Sequence, residues 1–110
     1  VGKTTTTVNL AAALAAAGRR ACVLDLDPQA HASTHLGVDA DGGPSVYDVL
    51  VRNRPLAAAR RRVGPNLSLV PATLDLAAAD VELAGVVGRE VILREALAAD
   101  PEPLDFLLMD

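Results

Sequence analysis

The residues best equipped for chemistry stand together at the start of the chain, as Gly2-Lys3-Thr4-Thr5. They match the second half of the pattern G-x-x-x-x-G-K-[ST], a loop that wraps phosphates and opens a helix. Backbone N–H groups and the positive end of the helix dipole attract an anion there. Gly2 lets the backbone approach the anion closely. Lys3 would place an ammonium on β- and γ-phosphates, and the Thr4 hydroxyl would coordinate Mg²⁺. The same residues would also serve as an ordinary helix start with a solvated lysine. Downstream context has to decide between the two.

Acidic residues supply that context. Asp25-Leu26-Asp27-Pro28 follows the short apolar run Ala21-Cys22-Val23-Leu24. A run of this kind suits a parallel strand buried on both faces. In a strand, Asp25 and Asp27 would share one side and emerge at the C-terminal end, where open α/β sheets bind ligands. Two close carboxylates repel unless a metal, a lysine or a water network absorbs the charge. A strand-end turn with Asp27 capping the next segment accounts for the same residues equally well. A third apolar run, Phe106-Leu107-Leu108-Met109, ends in Asp110. That is the form of a Walker B element, whose Asp holds a nucleotide's Mg²⁺ through water, and also of any core strand before a turn. His31 and His35 have helical metal-ligand spacing, but no third ligand follows, so solvated histidines are the better reading.

These residues need elements to hold them. A helix is predicted from about Lys3 to Ala17, with Leu10, Leu14 and Ala17 on its buried stripe and Gly18 as its stop. Arg19 and Arg20 would complement its negative end. A short helix is expected before Gly37, and turns at residues 39–44. Ser45 and Asp48 form a capping pair for a helix over Val46–Leu50. Pro55 to Arg62 reads as another short helix, with Arg60-Arg61-Arg62 as its solvated end rather than a nucleic-acid contact. Pro65-Asn66 turns into the strand Leu67–Val70. Thr73 or Asp75 would cap a helix to about Ala84, with Leu76, Ala79 and Leu83 buried. A last helix spans about Glu90 to Ala98. The alternation predicts an α/β fold with residues 21–26, 67–70 and 105–109 as parallel strands.

Composition narrows the function. The chain has 110 residues, a net charge of −4 and 2% aromatics, which disfavours a basic nucleic-acid module built on stacking. The single cysteine, Cys22, forms no internal disulfide and fits a reducing compartment. No apolar run approaches the roughly 18 residues of a membrane span. The first residue is Val1 and the last, Asp110, closes an apolar run, so residues 1–110 read as one partial domain of a larger unit.

Gly2-Lys3-Thr4-Thr5, Asp25-Leu26-Asp27-Pro28-Gln29 and Phe106 to Asp110 stand in the order found in one nucleotide-binding family. The chain closely resembles the ParA/Soj partition ATPases, of the deviant-Walker-A group that also includes MinD. Val8-Asn9-Leu10-Ala11, Tyr47-Asp48-Val49-Leu50 and Leu69-Val70-Pro71-Ala72 extend the resemblance over essentially the whole chain. It implies a P-loop NTPase fold: a doubly wound, mostly parallel sheet with helices on both faces, lacking here its first strand and C-terminal half.

The resemblance also implies roles. Gly2, Lys3, Thr4 and Thr5 would bind ATP, with Lys3 on the β- and γ-phosphates and Thr5 near the α-phosphate. Thr4, Asp25 and Asp110 would form the Mg²⁺ side of the site, with Asp110 the Walker B acid. Asp27 would position or polarise the attacking water. The chain departs from the family at His31, where Asn is common. The family's signature lysine would precede Val1.

The implied protein is a cytoplasmic, nucleoid-associated ATPase that dimerises with ATP and binds DNA non-specifically through regions beyond these residues. A ParB-like partner would stimulate hydrolysis, and no membrane is expected. Two alternatives remain: a MinD-like ATPase that positions a membrane-bound or other cargo, and a truncated chain without turnover.

Overall fold

The computed structural model describes residues 2–39, 43–78 and 89–110. Helix α1 covers Gly2–Ala16, strand β1 Ala21–Leu24, α2 His31–His35, α3 Val46–Val51 and α4 Leu56–Ala59. Strands β2 (Arg61–Gly64) and β3 (Leu67–Val70) follow, then α5 (Arg89–Ala99) and β4 (Phe106–Met109). The four strands form one sheet in the order β2-β3-β1-β4. β1 pairs in parallel with β3 on one side and β4 on the other, so the three expected strands are parallel to one another.

Alternation along the strands divides the core. Ala21 and Val23 of β1, with Leu67 and Leu69 of β3, pack under α1 and α2. Cys22, Leu24 and Val70 face the other way, against α3, α4, Leu76 and Leu93. Helices therefore cover both faces, and the sheet is mostly parallel.

Local chemistry explains the ends of the elements. Gly18, at φ 85°, lets α1 stop in a Schellman arrangement: Arg19 N–H reaches Leu14 O (3.0 Å) and Gly18 N–H reaches Ala15 O (3.0 Å). The capping box of α3 is present, with Ser45 N–H donating to Asp48 Oδ2 at 2.8 Å and Tyr47 N–H to Ser45 Oγ at 3.2 Å. Arg20 does not serve the end of α1. Its guanidinium and its N–H both bond Asp105, and Arg20 O accepts from Asp105 N–H, so β1 and β4 are clamped at their starts.

Several expectations change. The buried stripe of α1 is Val8, Ala11 and Ala15, while Leu10 is half exposed. The helix is so rich in alanine that apolarity is nearly uniform around it, and small side chains give the sheet its closest approach. Pro55 to Arg62 is not one helix: α4 ends at Ala59, and β2 runs antiparallel to β3 through a turn with Asn66 at φ 61°. β4 lies at the sheet edge, with Phe106 and Met109 exposed rather than buried. Residues 76–78 make the helical turn expected after Thr73, whose backbone carbonyl accepts from Leu76 N–H (3.0 Å). The rest of that predicted helix, with Ala79 and Leu83, lies outside the described residues, as do 40–42 of the turn cluster.

Of the arginine triplet, Arg60 is buried in ion pairs, Arg61 is half-buried and Arg62 stays exposed to solvent. The Arg60 side chain is 8% exposed and bonds Asp100, itself 3% exposed, and also Glu102 at 2.7 Å. Arg61 donates to Pro44 O (3.0 Å), and Arg62 reaches Glu102 (3.4 Å). Arg60 thus fastens the α4–β2 corner to the link between α5 and β4. Hydrogen bonding to Arg60 outweighs desolvation and holds the Asp100 carboxyl below its ordinary range. A depressed carboxyl pKa stabilises the fold fully above the unfolded-state value, and that contribution is lost as pH falls through the folded-state value. Glu102 still pairs with Arg60 when Asp100 is removed, so what is lost is the charge-assisted bonding to Asp100 and not the whole compensation of the buried guanidinium. Asp100→Ala should therefore destabilise the protein by about 1.5–3 kcal/mol at neutral pH, read by urea unfolding, and by less in acid.

Candidate nucleotide site

Thr4 lies in the first turn of α1, and Asp110 directly follows β4. Pairing of β4 with β1 carries Asp110 to the end of the sheet where α1 begins. Thr4 Oγ1 donates to Asp110 Oδ2 at 2.8 Å, joining residues far apart in sequence. Thr7 Oγ1 is 3.5 Å from Asp110 Oδ1 and donates to Lys3 O at 2.9 Å. The backbone fixes Asp110 as well: its N–H bonds Leu24 O (3.0 Å), and its carbonyl accepts from Leu26 N–H (2.8 Å). Asp110 is buried.

Around this pair the surface suits an anion. Gly2, Lys3 and Thr5 are exposed, and among the described residues Lys3 has no carboxylate partner.

Asp25 and Asp27 part company. The strand stops at Leu24, so the rule placing alternate residues on one side no longer governs them. Asp25 turns inward and is fully buried. Its Oδ1 accepts from Asp27 N–H (3.0 Å), and its Oδ2 accepts from Ser33 N–H (2.9 Å) and Ser33 Oγ (2.7 Å). Burial pushes the Asp25 carboxyl up, opposed by the bonds from Ser33 and Asp27. Ser33 Oγ also accepts from Ala72 N–H at 3.2 Å, tying this loop to the segment after β3.

Asp27 stays partly open. Its Oδ1 accepts from Gln29 N–H (3.0 Å), and its Oδ2 lies 2.6 Å from His31 Nδ1. Desolvation alone would raise the Asp27 carboxyl, but the bonds from Gln29 and His31, with the charge His31 carries when protonated, together hold it low. The pattern did not single out Ser33, which the fold makes central. His31, read as solvated, is engaged by Asp27, and no group of three or more metal-ligating side chains gathers among the described residues.

With that geometry in place, likeness to known proteins decides the family. A protein-family model described as an AAA domain matches residues 1–110. The sporulation initiation inhibitor protein Soj of Bacillus subtilis is 42% identical over 112 residues, covering 100% of this chain and 44% of Soj. The chain belongs to the ParA/Soj family. The chromosome partitioning protein ParA of Myxococcus xanthus is 41% identical over 115 residues, covering 100% of this chain and 40% of ParA. Among solved structures, cobyrinic acid a,c-diamide synthase from Mycobacterium smegmatis, with a bound ATP analogue and magnesium, has a TM-score of 0.89 at 40% identity. That match covers 98% of this chain and 45% of the synthase. The chain spans less than half the length of these relatives. The fold is that of the P-loop ATPases of this family, as the resemblance implied.

Ser33 offers a direct test of the buried network. Its bonds favour ionised Asp25, so Ser33→Ala should raise the Asp25 carboxyl further and leave Ala72 N–H without its acceptor. The expected loss of stability is about 1–3 kcal/mol at neutral pH. It should shrink as pH falls through the raised Asp25 value and the carboxyl becomes neutral. Urea unfolding at neutral and mildly acidic pH measures both.

Proposed function

We propose that the full-length protein is a Mg²⁺-dependent ATPase of the ParA type, acting in DNA segregation. The observation that carries this reading is the hydrogen bond from Thr4 Oγ1 to Asp110 Oδ2 (2.8 Å), beside an exposed Lys3 at the start of α1. A hydroxyl and a carboxylate in contact are hard oxygen donors of the kind Mg²⁺ takes. This ion is usually held by one or two carboxylates plus substrate phosphates. The M. smegmatis synthase, with its ATP analogue and magnesium, supports the nucleotide. The Soj and ParA relatives support the partitioning role.

In this reading Lys3 neutralises the β- and γ-phosphates, Thr5 contacts the α-phosphate region, and Gly2 admits the nucleotide to the backbone. Thr4 and Asp110 would hold Mg²⁺, which when bound neutralises charge on the phosphates. Asp25 backs this side of the site from behind: it fixes the loop whose Leu26 N–H bonds Asp110 O. Asp27 orients the attacking water. Phosphoryl transfer needs positioning and charge neutralisation more than covalent chemistry, and this set of groups suits that demand.

ATP would favour a dimer that binds DNA non-specifically on the nucleoid, in the cytoplasm. A ParB-like partner would trigger hydrolysis and reverse both. A cation supplied across the dimer would make turnover depend on dimerisation, an effect of about 10³–10⁵ in rate where such groups are known.

Two experiments on the full-length protein test this. Thr4→Ala should weaken Mg²⁺-dependent ATP binding or turnover; unchanged affinity and rate in Mg²⁺ titrations would remove Thr4 from the site. Asp27→Ala should keep ATP binding and lose turnover, since its work is done mainly in the transition state. It should trap a dimer on DNA whose retention falls steeply with salt. Lys3→Ala should lose nucleotide, dimer and DNA together. Sedimentation and DNA shift assays separate these outcomes, and a trapped dimer that ignores DNA and binds liposomes would favour a cargo of the MinD kind.

A further inference from the structure

We infer that His31 is the positioning residue for Asp27, holding its carboxylate in the orientation that turnover requires; this rests on the reading of Asp27 as the group that orients water. The geometry is specific. His31 Nδ1 lies 2.6 Å from Asp27 Oδ2, and Gln29 N–H fixes the other oxygen at 3.0 Å. These two bonds, with the His31 backbone N–H also directed at the carboxylate, set its plane. The carboxylate still has a lone pair for a further donor such as water. The Asp27 side chain remains 28% exposed, so water has access to it.

The backbone is bent to make this contact. Ala30, between Gln29 and His31, sits in the left-handed region at φ 56° and ψ 41°. That conformation is uncommon for a residue with a Cβ and persists only where its surroundings hold it. Ala30 N–H bonds Asp27 O at 2.8 Å, and Ser33, further along α2, is locked onto Asp25. The loop from Asp25 to Ser33 thus closes on itself, and His31 is delivered to Asp27 from the start of α2.

The chemistry asked of Asp27 is orientation. Protein donors on both of its oxygens make it a well-fixed acceptor. A largely dissociative phosphoryl transfer asks for a placed water more than for a strong base. The His31 side chain is 66% exposed, so shortening it leaves no cavity and the effect of substitution can be read as function.

The test uses the full-length protein and four variants: His31→Ala, His31→Asn, Asp27→Ala and the His31→Ala/Asp27→Ala double variant. Asn carries a side-chain N–H donor as many bonds from the backbone as Nδ1 of His. His31→Ala should lower kcat by roughly 10- to 100-fold, the scale of lost positioning, with ATP affinity and unfolding midpoint unchanged. His31→Asn should recover most of that loss, and added imidazole should partly restore the alanine variant. The double variant should be no slower than Asp27→Ala alone. If Asp27→Ala is inactive while His31→Ala turns over at the parent rate, the inference about His31 is wrong and the role of Asp27 stands. If Asp27→Ala itself turns over at the parent rate, the reading of Asp27 fails, and this inference with it. A His31→Ala defect that neither Asn nor imidazole relieves would also overturn it.

Discussion

The contact between Thr4 and Asp110 is the constraint on which the rest of this structure depends. A hydroxyl at the start of a helix and a carboxylate at the end of a strand meet only if the sheet sets both positions. β1 does this by pairing with β4, which places Asp110, and by packing Ala21 and Val23 under α1, which places Thr4. The Arg20–Asp105 clamp fixes the start of that pairing and the Leu24–Asp110 backbone bond its end. The register along β1 is thereby pinned on both sides of the apolar run. Cores on the two faces then hold the sheet in place, with α1 and α2 on one and α3 to α5 on the other.

A second constraint follows from where β1 stops. Beyond Leu24 the chain leaves the ladder, and its two carboxylates face different surroundings. Asp25 is buried and met by Ser33, and its pKa is pushed up. Asp27 stays near solvent, held by Gln29 and His31, and its pKa is pushed down. Environments that drive two nearby acids apart give them different work. One organises the loop, and the other is left with lone pairs turned toward water. The fold and the site are joined here, because Ser33 also binds Ala72 N–H after β3.

Much of this was legible in the sequence. Apolar runs after Gly18, after Asn66 and before Asp110 marked the three parallel strands, because strands buried on both faces read as continuous hydrophobic segments. Ser45 and Asp48 announced their capping box. Gly2-Lys3-Thr4 and Asp110 could be paired only through the family pattern, since nothing in either stretch names the other. Other features left no local trace. β2, Arg-Arg-Val-Gly, has neither alternation nor an apolar run, and exists because β3 offers it an edge. Arg60 looked solvated because its partners, Asp100 and Glu102, lie far along the chain. Asp25 and Asp27 were placed together by a strand rule that lapses one residue before it was applied. His31 looked spare because an αL alanine, which brings it back to Asp27, is not a conformation a sequence advertises.

The central claim is that Thr4 and Asp110 serve one shared Mg²⁺ beside the phosphates of ATP. A double-mutant cycle in the full-length protein tests it most directly, with Thr4→Ala, Asp110→Asn and both together. The quantity to measure is the gain in ATP affinity that Mg²⁺ confers, by calorimetric titration with and without the ion. Residues that share one ion should be coupled: each single change removes most of the gain, and the double change removes little more. Losses that simply add, or a gain that survives both changes, would contradict the account.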